Sequence, residues 1–228
     1  MNSKTIKRAG ILLAAMIVIL SIIMMIQTSM AHADSMTEKK FAKKVTVTTN
    51  DYFVYLNMGS KTKSSHKVKA SSSKKSVIKT EVYEGDVYLT VKKTGTATVT
   101  IKNKSTHKTY KCTVKVVKYK NPFKVFRFAG KNVTKKFKTY HMGSTTVKKA
   151  KAKLSIKPKS GWKIKKIIYS RSKYNSKKDK YVGHKKTIRN NKTIKVSKTD
   201  EGSSLLQVII VKMYSKKSNA TFDFFLDF

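Results

Sequence analysis

Side chains able to do acid–base or metal chemistry are few and scattered in this sequence. No histidine outside the N-terminal segment has a His, Cys, Asp or Glu neighbour at the spacing of a metal site. The main acidic cluster, Glu81, Glu84 and Asp86, is predicted to flank a turn, whereas a paired-carboxylate hydrolase needs two carboxylates facing a cleft. This turn is interpreted as offsetting nearby lysines, with a weak cation site as the alternative. The five histidines are His32, His66, His107, His141 and His184.

Nucleophilic chemistry is equally poorly supported. The single cysteine, Cys112, alternates in phase with Val114 and Val116, which predicts a buried small hydrophobe rather than an activated thiolate. No Gly-x-Ser-x-Gly elbow, P-loop or dinucleotide-binding fingerprint is present. We therefore expect a protein that is not an enzyme and that needs neither a cofactor nor a metal ion. A lone cysteine also excludes an intramolecular disulfide.

The elements that carry these residues are predicted to be strands. After residue 40 the apolar positions recur every second residue, as in Thr96–Ile101, and β-branched residues are abundant. Turn residues separate the runs, and no convincing amphipathic helix is found. We therefore predict an all-β protein of sandwich type. The predicted strands are 45–49, 52–57, 66–70, 77–83, 86–91, 96–103, 108–119, 123–129, 132–138, 145–157, 162–170, 192–197, 204–214 and 219–227.

The N-terminal segment, 1–33, has the pattern of a signal peptide. Basic residues precede an apolar run from Ile11 to Ile26, and Ala31-His32-Ala33 supplies a small-x-small cleavage pattern. Cleavage would start the mature chain at Asp34. The alternative is an uncleaved membrane anchor. Either outcome predicts an exported protein, secreted or held at the cell surface, and membrane contact is expected only if this segment is retained.

Two domains are predicted after this segment, 34–120 and 121–228. The boundary is placed at Asn121-Pro122, because proline cannot donate to a β-ladder and suits a junction. Residues 71–117 combine a Ser-rich run at Ser71-Ser72-Ser73, the run Gly95-Thr96-Ala97-Thr98-Val99-Thr100-Ile101 and the strand Thr113-Val114-Lys115-Val116. In order and spacing this stretch resembles the bacterial immunoglobulin-like group 2 (BIg2) family.

The resemblance implies a small β-sandwich of an exported or surface protein, serving as a spacer or adhesion module. It covers residues 41–119 loosely, and it brings no catalytic residues. The sequence departs from the family by lacking its Trp before the Ser run and its Pro in the Ser loop. Residues 122–228 resemble a second immunoglobulin-like module more weakly, with Gly161-Trp162 expected to start a central strand carrying a buried Trp. Two tandem immunoglobulin-like β-sandwiches, in a monomer, are therefore expected.

Charge is the most informative feature for function. The chain has 52 Lys and Arg against 11 Asp and Glu, a net charge of +41, and only four of the basic residues are Arg. Such a surface attracts polyanions, while the scarcity of Arg argues against sequence-specific DNA recognition. A generally basic background is the competing interpretation. The expected partners are anionic polymers (teichoic acid, glycans or nucleic acid) or a surface protein.

Two modes of polyanion binding remain open. In the first, a surface or secreted protein of a Gram-positive bacterium adheres to wall or host polymers through lysines spread over the whole chain. In the second, an extracellular nucleic-acid or other polyanion binder uses a basic loop at 173–186, where tyrosines could stack on bases. The candidate residues of this loop are Lys173, Tyr174, Lys177, Lys178, Lys180, Tyr181, Lys185 and Lys186.

Overall fold

The described part of the chain is all-β, as the sequence predicts. The structure is a computed structural model, and it describes residues 42–51, 53–56, 68–83, 86–175, 180–197 and 205–228. The predicted signal peptide and His66 lie outside these residues. Within them, no helix is long and apolar enough to cross a membrane.

Strands follow one another along the described residues, interrupted by one short 3-10 helix. In chain order, these elements are β1 Lys44–Thr48, β2 Phe53–Leu56, β3 Val68–Ser72, β4 Ile78–Tyr83, β5 Asp86–Val91, β6 Gly95–Asn103, β7 Thr109–Val117, β8 Phe123–Phe128, β9 Lys131–Asn132, the 3-10 helix Thr134–Phe137, β10 Met142–Ser144, β11 Lys151–Pro158, β12 Trp162–Asn175, β13 Lys180–Ile188, β14 Thr193–Lys195, β15 Leu205–Ser215 and β16 Ala220–Asp227.

The chain divides into two compact units. The first unit comprises the described residues within 1–45 and 52–115. The second comprises those within Thr46–Asp51 and Val116–Phe228. The predicted division at 120/121 into immunoglobulin-like domains remains a prediction.

Strands β1 to β7 form two sheets, with orders β1-β7-β6-β3 and β2-β5-β4. They belong to the first unit except for residues 46–48 of β1 and 116–117 of β7, which belong to the second. Alternation places small and branched apolar side chains inward and Thr or Lys outward along β6 and β7. Cys112 is fully buried between Lys111 and Thr113, which confirms its predicted core position. The buried side chains of β5, β6 and β7 are Val87, Leu89, Val91, Ala97, Val99, Ile101, Cys112, Val114 and Val116.

The second unit combines a five-stranded sheet, β10-β16-β15-β12-β13, with a four-stranded sheet, β14-β11-β8-β9. Residues from both sheets form one core cluster rich in phenylalanine. The Phe123 ring lies 5.0 Å from the rings of Phe126 and Phe137, and Phe126 and Phe137 stack at 5.2 Å. Aromatic pairs at such distances add to the burial of their apolar area.

The predicted strand at 132–138 is wrong. Asn132 Oδ1 accepts hydrogen bonds from the Thr134 backbone N–H and from the Thr134 hydroxyl, at 3.1 and 2.6 Å. This local side-chain bonding favours a turn, and the 3-10 helix Thr134–Phe137 follows it. The helix carries Phe137 into the core, where it is fully buried. The predicted strand 145–157 is likewise shortened, because β11 begins at Lys151.

Trp162 begins β12, as predicted, and β12 pairs with β13 on one side and β15 on the other. Its side chain is only partly buried and packs against the core, with the ring 6.0 Å from the ring of Phe222. The expectation of a buried tryptophan is therefore wrong.

Candidate anion-binding surfaces

The predicted basic loop at 173–186 is a β-hairpin wherever the structure describes it. Strands β12 and β13 pair antiparallel, with Lys173 opposite Val182 and Asn175 opposite Lys180. The loop prediction is therefore wrong, although binding by these residues remains a prediction. The reason is that residues 182–187 are all exposed. Because neither side of this strand is buried, its sequence lacks the alternation of apolar and polar residues from which a strand is predicted.

The hairpin distributes the predicted residues over two faces. Opposite residues of an antiparallel pair share a face, so Lys186 (opposite Tyr169) lies on one face and Lys185 (opposite Ser170) on the other. Lys173 lies four residues after Tyr169 on β12, and residues an even number apart on a strand point to the same face. Lys173 therefore shares the face of Lys186. Lys173, Lys185 and Lys186 are all exposed.

The remaining predicted site residues are placed only in part. Tyr174 and Tyr181 are opposite each other in the strand register, and Lys180 is opposite Asn175. Lys177 and Lys178 lie outside the described residues. Two further exposed side chains, Arg171 and His184, are opposite each other on the face of Lys173, so sequence reasoning underestimated the cationic content of this hairpin.

Close approach of the two hairpin strands requires a glycine. A Cβ on Gly183 would collide with the Arg171 carbonyl oxygen and come within 2.5 Å of the Ser172 Cβ. Gly183 thereby allows β13 to pair along the basic end of β12.

A second basic surface was missed from the sequence. The strands β14, β11, β8 and β9 present their outward side chains to solvent, whereas Ala152, Leu154 and Ile156 of β11 point into the core. We call this surface the basic face. Its exposed cationic residues include Arg127, Lys151, Lys153, Lys157 and Lys195. The alternation Lys-Ala-Lys-Leu-Ser-Ile-Lys at 151–157 could have indicated it, but the register with β8 and β14 could not be read from the sequence.

Carboxylates neutralise few of the described lysines. Lys79 Nζ pairs with Glu81 at 2.9 Å on an exposed strand, and Lys212 Nζ pairs with Asp223 at 2.8 Å in a largely buried position. The strands of the basic face contain no Asp or Glu. The Glu81 pair fits the interpretation of this acidic residue as offsetting lysine, while Glu84 lies outside the described residues.

The most connected buried polar group of the second unit is His141. Its Nδ1 lies 3.1 Å from the Asp223 carbonyl oxygen, and its Nε2 lies 2.9 Å from Thr48 Oγ1 and 3.3 Å from Asp51 Oδ1. Burial lowers the pKa of His141, although the Asp51 carboxylate opposes this shift. In neutral His141, Nδ1–H can donate to the Asp223 carbonyl oxygen, which leaves Nε2 as an acceptor. The Thr48 hydroxyl also lies within hydrogen-bond distance of Asp51, donating to its Oδ2 at 3.1 Å.

This cluster is largely shielded from solvent, and Thr48 is only 3% exposed. Tyr119 packs edge-on against His141, with ring centroids 4.9 Å apart, and its hydroxyl lies 2.7 Å from the Phe137 carbonyl oxygen. Sequence reasoning missed the cluster because Asp51, His141 and Asp223 are far apart in the chain.

The other residues considered for chemistry from the sequence are a buried cysteine and exposed histidines. Burial raises the pKa of the Cys112 thiol to about 11, so it is protonated at neutral pH. Among these residues, no three His, Cys, Asp or Glu side chains are grouped so as to hold a metal ion. His107 and His184 are exposed.

Comparison with known proteins identifies structural neighbours only. No family model matches the chain, and no curated protein matches it. Among solved structures it is similar to domains 4–9 of the surface-layer protein SbsC, with 14% identity and a TM-score of 0.29, over 82% of this chain and 30% of that one. Domains 5–6 of the same protein give 14% identity and a TM-score of 0.23, over 70% and 80%. The chain thus spans under a third of the first structure.

Proposed function

We propose that this protein is an exported, non-enzymatic surface or secreted module that adheres electrostatically to anionic polymers. Export is supported by the signal-peptide pattern of residues 1–33. An adhesion or spacer role is what the BIg2 resemblance of residues 41–119 implies. Two tandem immunoglobulin-like sandwiches are part of the proposal, and the two sheets of four and three strands in the first unit support it.

The observation that carries the proposal is the exposure of unneutralised lysine. Outward positions of strands in both units are occupied by Lys, as at Lys102 and Lys111 in the first unit and Lys151 and Lys153 in the second. With 52 basic against 11 acidic residues, most of these charges have no carboxylate to pair with. A surface of this kind concentrates polyanions and binds them with a strong dependence on salt.

The test is retention of the purified protein on wall teichoic acid, heparin and DNA across a salt series. The proposal expects retention near physiological salt on at least one polymer, with log Kd rising linearly with log salt concentration. Failure to bind any of them at that salt would leave the charge without a polyanion partner and contradict the proposal.

A second candidate is nucleic-acid or other polyanion binding by the hairpin of β12 and β13. It is favoured by four exposed side chains that share one face of the hairpin, Arg171, Lys173, His184 and Lys186, with the exposed Lys185 on the other face. Preferential binding of single-stranded DNA over teichoic acid, lost on neutralising Lys173, Lys185 and Lys186, would favour this candidate.

A further inference from the structure

Resting on the proposed function, we propose that the basic face is the contact surface for a linear, base-free phosphodiester polymer of the teichoic-acid type. The basic face consists of the outward side chains of β14, β11, β8 and β9 in the second unit. The inference names both the binding site and the class of partner, which the overall charge leaves open.

The strand register gathers the cations into a compact array. Lys195 is directly opposite Lys151, Thr193 is opposite Lys153, and Arg127 is opposite Ser155. Side chains in opposite positions have Cβ atoms about 5 Å apart, and successive outward residues on one strand are about 7 Å apart. Cations at these spacings can contact several phosphates of one extended chain at the same time.

The array is unfavourable for the folded protein on its own. Like charges directly opposite each other on a sheet are destabilising, and Lys151 and Lys195 form such a pair. No carboxylate on these strands relieves the repulsion. A bound polyanion would relieve it, because each phosphate can lie between two ammonium groups.

The other groups on the basic face indicate what kind of anion fits. Ser155 and Thr193 carry hydroxyls, and Asn132, opposite Arg127, carries an amide, so each can donate to a phosphate oxygen between the cations. The outward side chains include no aromatic ring. Proteins that bind single-stranded nucleic acids stack the bases on aromatic side chains. The basic face therefore suits a polymer whose repeats have phosphates but no bases.

The other sheet of the second unit also places two lysines directly opposite each other, Lys166 and Lys212. There, however, Lys212 pairs with Asp223 at 2.8 Å, and Val208, Ile210 and Phe225 of the same sheet are buried. The strands of the basic face differ in that they contain no carboxylate. The basic face and the hairpin can be separated by substitution.

The test compares three variants that each replace three exposed strand lysines with glutamine and so change the net charge equally. Binding to poly(glycerol phosphate), oligo(dT) and heparin is titrated across a salt series, and urea unfolding followed by far-UV circular dichroism confirms that each variant folds. The variants are Lys151→Gln with Lys153→Gln and Lys195→Gln (basic face), Lys173→Gln with Lys185→Gln and Lys186→Gln (hairpin), and Lys102→Gln with Lys111→Gln and Lys115→Gln (first-unit control).

We expect the basic-face variant to bind poly(glycerol phosphate) roughly 50-fold more weakly near physiological salt, and its log–log salt slope to fall by about 2, because about 0.7 counterions are released per contacted phosphate. The hairpin and control variants should change Kd much less. We also expect the wild type to prefer poly(glycerol phosphate) to oligo(dT).

Four results would overturn the inference. Equal weakening in all three variants would show adhesion by total charge, which contradicts this site but leaves the proposed function intact. Weakening confined to the hairpin variant would move the site to β12 and β13. A wild type that binds oligo(dT) or heparin but not poly(glycerol phosphate) would refute the partner, whereas one that binds none of the three would refute the proposed function as well.

Discussion

Replacing Phe137 with alanine tests whether the 3-10 helix closes the core of the second unit. The Phe137 side chain is fully buried, with its ring 5.0 Å from Phe123, 5.2 Å from Phe126 and 6.1 Å from Phe224. Removing a buried phenylalanine ring costs about 3–5 kcal/mol, from lost transfer energy and from the cavity left behind. We expect the upper part of that range, since three aromatic neighbours lose a partner.

The magnitude is large enough for a simple assay. The second unit comprises residues 46–51 and 116–228. For a domain of this size each 1 kcal/mol shifts the melting temperature by about 4 °C, so Phe137→Ala should lower it by on the order of 20 °C. The chain has one tryptophan, and Trp162 packs against this core, so its fluorescence during urea unfolding reports on the second unit.

The control is Lys138→Ala, one residue beyond the helix. Lys138 is exposed, and such surface substitutions change stability by less than about 0.5 kcal/mol. A loss below about 1 kcal/mol for Phe137→Ala would refute the reasoning, because it would place the ring at the surface, as a strand at 132–138 with the opposite phase would do.

Four single residues provide further tests. Because burial holds the pKa of His141 below its usual 6.5, the unfolded state binds the proton more tightly. The second unit should therefore lose stability as pH falls below that value, and His141→Gln should flatten the pH dependence of the urea midpoint. A gain in stability at low pH would contradict this prediction. Cys112 should resist alkylation at mildly alkaline pH until the first unit unfolds, and a rate equal to that of the unfolded chain would refute its burial. Lys195→Gln should raise the free energy of unfolding by about 0.2–1 kcal/mol by removing repulsion from Lys151, measured in urea, and a destabilisation would be inconsistent with that pair. Gly183→Ala should speed hydrogen exchange of the hairpin amides, and unchanged exchange would rule out the close strand approach.

Much of the fold could be predicted because one face of most strands is buried. Alternation in Thr96–Ile101 and in Lys111–Val116 follows directly from packing one side of each strand into a core. Where that condition fails, prediction fails too. Residues 182–187 are exposed on both faces, so their pattern indicates a loop where β13 forms, and at 134–137 a side-chain turn at Asn132 overrides a strand-like pattern.

The candidate surfaces were predictable in composition but not in arrangement. The sequence shows that lysines are spread over the whole chain. Only the strand register shows that Lys195 lies opposite Lys151 and that Arg127 lies opposite Ser155. The His141 cluster is a stronger case. Its partners Thr48 and Asp51 come from a segment about 90 residues earlier, and no local pattern connects them.

The most direct test of the central claim is the salt dependence of binding between the wild-type protein and purified teichoic acid. Adhesion through exposed lysines predicts measurable affinity near physiological salt and a straight, steep fall of log affinity with log salt concentration. Affinity that does not change with salt, or no affinity for this or any other polyanion at that salt, would contradict electrostatic adhesion as the function of this protein.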